Sequence, residues 1–168
     1  KYNKKEREYL VSINTEVFTK DFLECGAEDR NFSKTPIFIF GHPRSGTTLI
    51  NRLLSQPAYA KSCNESNAAA IAFERELLND RSGLESLAST LEEKADNFYQ
   101  TYQSNTGINA DLIIDKMPHN FRFVGAILST FPSAKIVQMR RDPQDLALSI
   151  YSHQFHEYHN YACKLPTI

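Results

Sequence analysis

Residues 41–49, G-H-P-R-S-G-T-T-L, gather an arginine, three hydroxyls and two glycines into one turn, directly after the apolar run Pro36-Ile37-Phe38-Ile39-Phe40. That mixture suits an anion. Backbone amides turn inward around the glycines, the hydroxyls donate, and the guanidinium supplies charge. Gly41 and Gly46 stand five apart, as in the phosphate loop G-x-x-x-x-G-K-[ST]. Thr48 takes the Ser/Thr place of that motif, but Thr47 stands where the motif has its lysine. The missing lysine would serve the β/γ-phosphates of a nucleoside triphosphate, and the hydroxyl beside it would hold Mg²⁺. Here the cation is Arg44, inside the turn. The loop is therefore expected to cradle an anion other than ATP–Mg²⁺.

Two more polar clusters follow apolar runs. Asp115-Lys116 comes after Leu112-Ile113-Ile114, and Arg140-Arg141 after Lys135–Met139 (K-I-V-Q-M). With Ile37–Phe40, these runs have the β-branched and aromatic content of buried strands. Helices are expected between them. Leu10, Ile13, Val17 and Phe18 have helical spacing within Lys4–Leu23, and a helix from about Thr47 to Leu54 ends at Gln56-Pro57. Asn64–Asn79 is Ala-rich and helix-favouring. Ser82-x-x-Glu85 reads as a capping box, followed by the stripe Leu84, Leu87, Leu91, Ala95, Phe98 and Tyr102. Asn120–Ser129 is expected to be a helix with Phe121, Val124, Ile127 and Leu128 inward. Asp142, with Pro143 behind it, caps a last helix to about Tyr151. Short strands alternating with helices predict an α/β three-layer sandwich around a central parallel sheet. Ligands of such sheets bind beyond the carboxyl ends of the strands. That is where the loop, Lys116 and the two arginines would converge.

The bulk properties fit one domain. The chain has 168 residues, 41% hydrophobic and 23% charged, with a net charge of −1. No whole-chain field draws it to nucleic acid, and no apolar run approaches the roughly 20 residues of a membrane span. Cys25, Cys63 and Cys163 lie far apart with no metal spacing, which suits either a reducing compartment, the cytoplasm slightly favoured, or inert buried thiols. No metal site is expected. His153, His156 and His159 step by three, but across six residues a helix turns by about 240°, off a shared face.

Two separated motifs make the chain resemble the sulfotransferases that use 3′-phosphoadenosine 5′-phosphosulfate (PAPS) and release adenosine 3′,5′-bisphosphate (PAP). Pro43-Arg44-Ser45-Gly46-Thr47-Thr48-Leu49 is similar to the family's 5′-phosphosulfate loop. Arg141 with Ser149, eight residues on in R-R-D-P-Q-D-L-A-L-S, is similar to its 3′-phosphate motif. Between them, Asp115-Lys116-Met117-Pro118 resembles the lysine turn of its reaction centre. The match runs from about Val17 to Ser152, and V-F-T-K-D-F resembles the lead-in of bacterial sulfotransferase domains that follow tetratricopeptide repeats. These and the tyrosylprotein sulfotransferases are the nearest in look. In the tyrosylprotein group a glutamate placed like Glu65, 21 residues after Arg44, resembles the catalytic base. Cytosolic members have a histidine two residues after the lysine, where this chain has Pro118, with His119 one further on.

The resemblance implies a fold of the P-loop nucleoside-triphosphate-hydrolase type. It implies PAPS held by Arg44, Ser45, Gly46, Thr47, Thr48, Leu49, Arg141 and Ser149. Lys116 and Arg44 would stabilise the transfer and Glu65 would deprotonate an acceptor hydroxyl on a protein tyrosine, a glycan or a small alcohol. Arg141 is preferred to Arg140 by the family register. Family members continue past the second motif with helices and a closing loop. Residues 1–168 are therefore read as one domain cut short at its C-terminus, with 1–35 an N-terminal helix and lead-in loop. Two other readings stay open. Asp111-Leu112-Ile113-Ile114-Asp115 has the look of an acidic NTPase strand, which would suit a Mg²⁺-dependent kinase or hydrolase. An incomplete domain could bind nucleotide without turnover.

Overall fold

The computed structural model describes residues 4–20, 23, 35–62, 65–78, 90–108, 110 and 112–153. Helix α1 (Lys4–Glu16) precedes strand β1 (Ile37–Gly41), which leads through the loop into α2 (Thr47–Leu54). Strand β2 (Ala60–Ser62), α3 (Ala68–Leu78), α4 (Leu91–Thr106) and β3 (Leu112–Lys116) follow. A 3-10 helix (Pro118–Phe123) runs directly into α5 (Val124–Thr130), then come β4 (Lys135–Met139) and α6 (Pro143–Tyr151).

The four strands form one parallel sheet in the order β2-β3-β1-β4. The architecture is the expected α/β sandwich. Ile39, Ile114 and Ala60 face α2, against Ile50 and Leu54. Phe38 and Ile113 face the larger core, built from α1, α3, α4 and α5 and centred on Phe73, Phe98, Tyr102, Phe123 and Phe131. Central strands β1 and β3 are buried on both faces, so both read as continuous apolar runs. Edge strand β4 leaves Lys135 and Gln138 exposed. Gly125 lets α1 close onto α5: a Cβ there would collide with the Phe18 ring. Asn14 fastens the same contact, donating to the Arg122 carbonyl at 2.7 Å and accepting from the Gly125 amide at 2.9 Å.

Several expectations need correction. Strand β2 was not foreseen, because Ala60-Lys61-Ser62 has neither an apolar run nor strong strand formers. The helix expected from Asn120 begins two residues earlier as a 3-10 turn. Pro118 has no amide to give, and the Asn120 amide closes back on the Met117 carbonyl at 3.0 Å. Burial in that segment falls on Asn120, Phe123, Ala126 and Ile127, with Phe121, Val124 and Leu128 only half-buried. The helix read over 64–79 is confined to Ala68–Leu78, with Ser66 Oγ accepting from the Ala68 amide ahead of it. The helix read over 4–23 spans Lys4–Glu16. The capping box at Ser82 and Glu85, with Leu84 and Leu87, lies outside the described residues. Downstream, Leu91, Ala95, Phe98 and Tyr102 are buried along one face of α4, as the stripe predicts.

Candidate functional site

Because the sheet is parallel, every strand delivers its C-terminal residue to the same edge. Strand order then sets the order of side chains along that edge. Glu65 follows β2, Lys116 ends β3, the loop 41–48 follows β1, and Arg141 follows β4. Of the three crossovers that build this order, two pass over a strand (β1 to β2 over β3, and β3 to β4 over β1), which opens the crevice where such folds bind ligands.

The loop is shaped by backbone. Arg44 holds a left-handed φ of 71°, the sole non-glycine residue with positive φ among those described, and Gly46 follows at 101°. The Ser45 amide donates to the His42 carbonyl at 3.1 Å, and α2 starts from Gly46 with no side chain capping it. Its first amides therefore face whatever binds there. At Gly41 a Cβ would stand 2.5 Å from the Met139 carbonyl oxygen. Glycine thus lets the loop leave β1 hard against β4. Ser45 and Thr47 are buried, whereas Arg44, Thr48 and Leu49 are exposed. The Ser45 Oγ is buried with no hydrogen-bond partner among the described residues. An uncapped helix start beside an unpaired hydroxyl fits an anionic group.

The β4 side closes onto this loop. Asp142 caps α6, its carboxylate accepting from the amides of Gln144 and Asp145. Arg141 Nη1 donates to the Arg44 carbonyl at 3.1 Å, and Arg44 Nε donates to Ser149 Oγ at 3.2 Å. The structure thus brings Arg44, Arg141 and Ser149 into one contact, although 97 and 105 residues separate Arg44 from the other two. Arg140 is exposed at the neighbouring position.

On the other side, Lys116 is 3% exposed and its Nζ stands 2.9 Å from Glu65 Oε1, whose side chain is 54% exposed. These two residues, 51 apart in sequence, meet because β2 and β3 are neighbours. His119 sits in the 3-10 helix beside the Phe121 ring, 6.5 Å between centroids. Asp115 is fully buried on the opposite sheet face, where Oδ1 accepts from Asn120 Nδ2 at 3.0 Å. Burial pushes its carboxyl up to about 7, against the opposing pull of the Asn120 hydrogen bond and the Lys116 charge. Sequence reasoning treated Asp115 as a strand-end acid or as part of an NTPase-like acidic strand, and gave Asn120 no role beyond opening a helix. The signal lay in D-K-M-P-H-N, an acid and an amide bracketing a proline turn. His156 and His159 lie outside the described residues, and among those residues no His/Cys/Asp/Glu cluster with metal-binding geometry occurs. None of the described helices is long and apolar enough to cross a membrane.

A family described as "Sulfotransferase family" matches residues 36–164. A protein of Aquifex aeolicus (strain VF5), named only "Uncharacterized protein", is 30% identical over 164 aligned residues, covering 92% of this chain and 22% of its own length. The chain thus spans about a fifth of the relative it matches.

Proposed function

Since the chain belongs to the sulfotransferase family, we propose that it transfers a sulfuryl group from PAPS to an acceptor hydroxyl. One observation supports this reading most. Along a single sheet edge stand a carboxylate, a buried ammonium, an uncapped helix start and a paired Arg/Ser site, in that order.

When bound, PAPS supplies the sulfuryl group. The amides of residues 45–48, the hydroxyls of Thr47 and Thr48, and Arg44 hold its 5′-phosphosulfate, with Leu49 extending that wall. Arg141 and Ser149 hold the 3′-phosphate. Lys116 donates to the oxygen that leaves with the nucleotide. A preorganised donor of that kind lowers a barrier by roughly 3–4 kcal/mol. Glu65 accepts the proton of the acceptor hydroxyl. The ion pair between these two residues gives the site its resting state. Buried Lys116 needs a counter-ion, and Glu65 fills that place at 2.9 Å. As Lys116 turns to the phosphate oxygens, Glu65 is released to act as a base.

Arginine and backbone amides neutralise the donor, so binding needs no Mg²⁺. A metal-dependent kinase is disfavoured by Asp115: its carboxyl points away from the loop and is engaged by Asn120. PAP should raise the melting temperature in the presence of EDTA, and ATP with Mg²⁺ should not. A response to ATP–Mg²⁺ alone would refute the proposal. Transfer from radiolabelled PAPS to a panel of tyrosine peptides, glycans and small alcohols identifies the acceptor.

A further inference from the structure

Asp115 and Asn120 bracket the turn that carries Lys116, yet neither touches the proposed reactants. In the ladder to β1, Asp115 pairs with Phe38 of the large core and Lys116 with Ile39 of the small one. The two side chains therefore leave opposite faces of the sheet. Beneath the rim, Asp115 Oδ1 accepts from Asn120 Nδ2 at 3.0 Å, and both residues are buried. Main-chain bonds complete the closure: the Met117 amide donates to the Ile39 carbonyl at 3.2 Å, and the Asn120 amide to Met117 at 3.0 Å. A carboxyl is a costly acceptor for such a place. Its second oxygen, Oδ2, is buried with no partner among the described residues. Closing the turn alone needs only a neutral acceptor. What the carboxyl adds, in its ionised form, is negative charge one residue from the buried ammonium, gained as pH rises through about 7.

We propose that Asp115 and Asn120 are positioning residues for Lys116, the buried pair fixing the 115–120 turn so that the ammonium is held towards the donor. This rests on the reading of Lys116 given above. Loosening this turn would shift the strand end from which the Lys116 side chain departs, because the Asp115–Asn120 bond is a side-chain tether between β3 and the 3-10 helix, added to the main-chain bonds above.

The test is calorimetric binding of PAP to the whole chain, which needs no acceptor. Lys116→Met sets the scale, an expected ten- to hundredfold loss of affinity for one charged hydrogen bond (about 1.5–3 kcal/mol). Asp115→Ala and Asn120→Ala should each weaken binding about tenfold, and the double variant little further, because both break one tether. The exchanged pair Asp115→Asn with Asn120→Asp keeps the hydrogen bond and the net charge, and should return affinity to within about threefold of the native chain. Asn120→Ser, too short to reach Asp115, replaces an alanine variant that fails to fold. Melting temperatures run in parallel. If the alanine variants melt lower but bind PAP normally, or the exchanged pair stays weak, the positioning role is wrong and the role of Lys116 stands. If Lys116→Met itself binds normally, that role falls too.

Discussion

Arg44 and Arg141, on the β1–β4 side of the rim, stand in solvent, whereas Lys116, on the β2–β3 side, is 3% exposed and already paired with Glu65. The first half is shaped by backbone for the anion proposed above: a left-handed Arg44, an uncapped α2, and a glycine pressed against Met139. Its cations are hydrated while they wait, so an empty site costs little. The second half carries its charge into the protein, where an unpartnered ammonium is expensive. It must keep a resident anion. On the proposed function, the half that would bind the donor is thus open and tolerant, and the half that would react is buried and pre-paired. Variants on the two sides should fail differently: affinity alone on the first, and affinity together with rate and stability on the second.

The largest effect is expected at Glu65. Glu65→Gln should slow transfer to the acceptor by about 10²–10⁴-fold, the usual contribution of a positioned base. The same change removes the anion that competes for Lys116, so PAP should bind more tightly, by up to about tenfold for one charged contact. Rate loss with tighter product binding is a signature that few other roles produce. Weaker PAP binding would show that Glu65 supports the nucleotide site instead, and would erase the distinction between the two halves.

Asp115 gives the next effect, in stability. An ordinary aspartate titrates at 3.8, and this one is raised to about 7 by burial. Between those values the folded chain keeps a proton that the unfolded chain has released. Its contribution is therefore complete below about pH 4 and is lost as pH rises through 7. The rise from 3.8 to about 7 corresponds to a decline of order 4 kcal/mol. Urea unfolding of the native chain and Asp115→Asn at pH 4.5 and 7.5 checks this. The native chain should lose stability relative to the variant at the higher pH. Parallel behaviour would mean that water or relaxation reaches the carboxyl, and that the reactive half is less dry than its burial indicates.

Much of the fold around the rim is legible in the sequence. Gly41 and Gly46 mark the turn between β1 and α2, and Asp142-Pro143 marks the start of α6 to the residue. Ile37–Phe40 and Lys135–Met139 announce strands through their β-branched and aromatic content. What local pattern could not carry was adjacency. Ala60–Ser62 becomes a strand only because β3 offers it a ladder, so nothing in its three residues signals the edge that brings Glu65 to Lys116. The Arg141–Arg44–Ser149 contact likewise depends on strand order, although the family resemblance pointed to its members. Asp115 shows the reverse problem. Its chemistry was visible, but a strand alternates faces, and only the register with Phe38 places it under the rim instead of on it.

The smallest effects should come from the solvated half, and they test whether it is one site or two. Arg141→Ala should weaken PAP binding about ten- to a hundredfold, the loss of a charge-assisted contact, and leave adenosine 5′-monophosphate nearly unaffected. Ser149→Ala removes a neutral hydroxyl and should cost only about two- to tenfold. Both residues bond Arg44 in this structure, Arg141 through the carbonyl and Ser149 through Nε. Each loss should therefore disturb the place of the other, and the double variant should depart from additivity by about 0.5 kcal/mol or more. Calorimetry on the two single variants and the double measures that coupling directly. Strict additivity would mean that Arg141 and Ser149 meet the nucleotide independently, and that Arg44 links them only while the site waits.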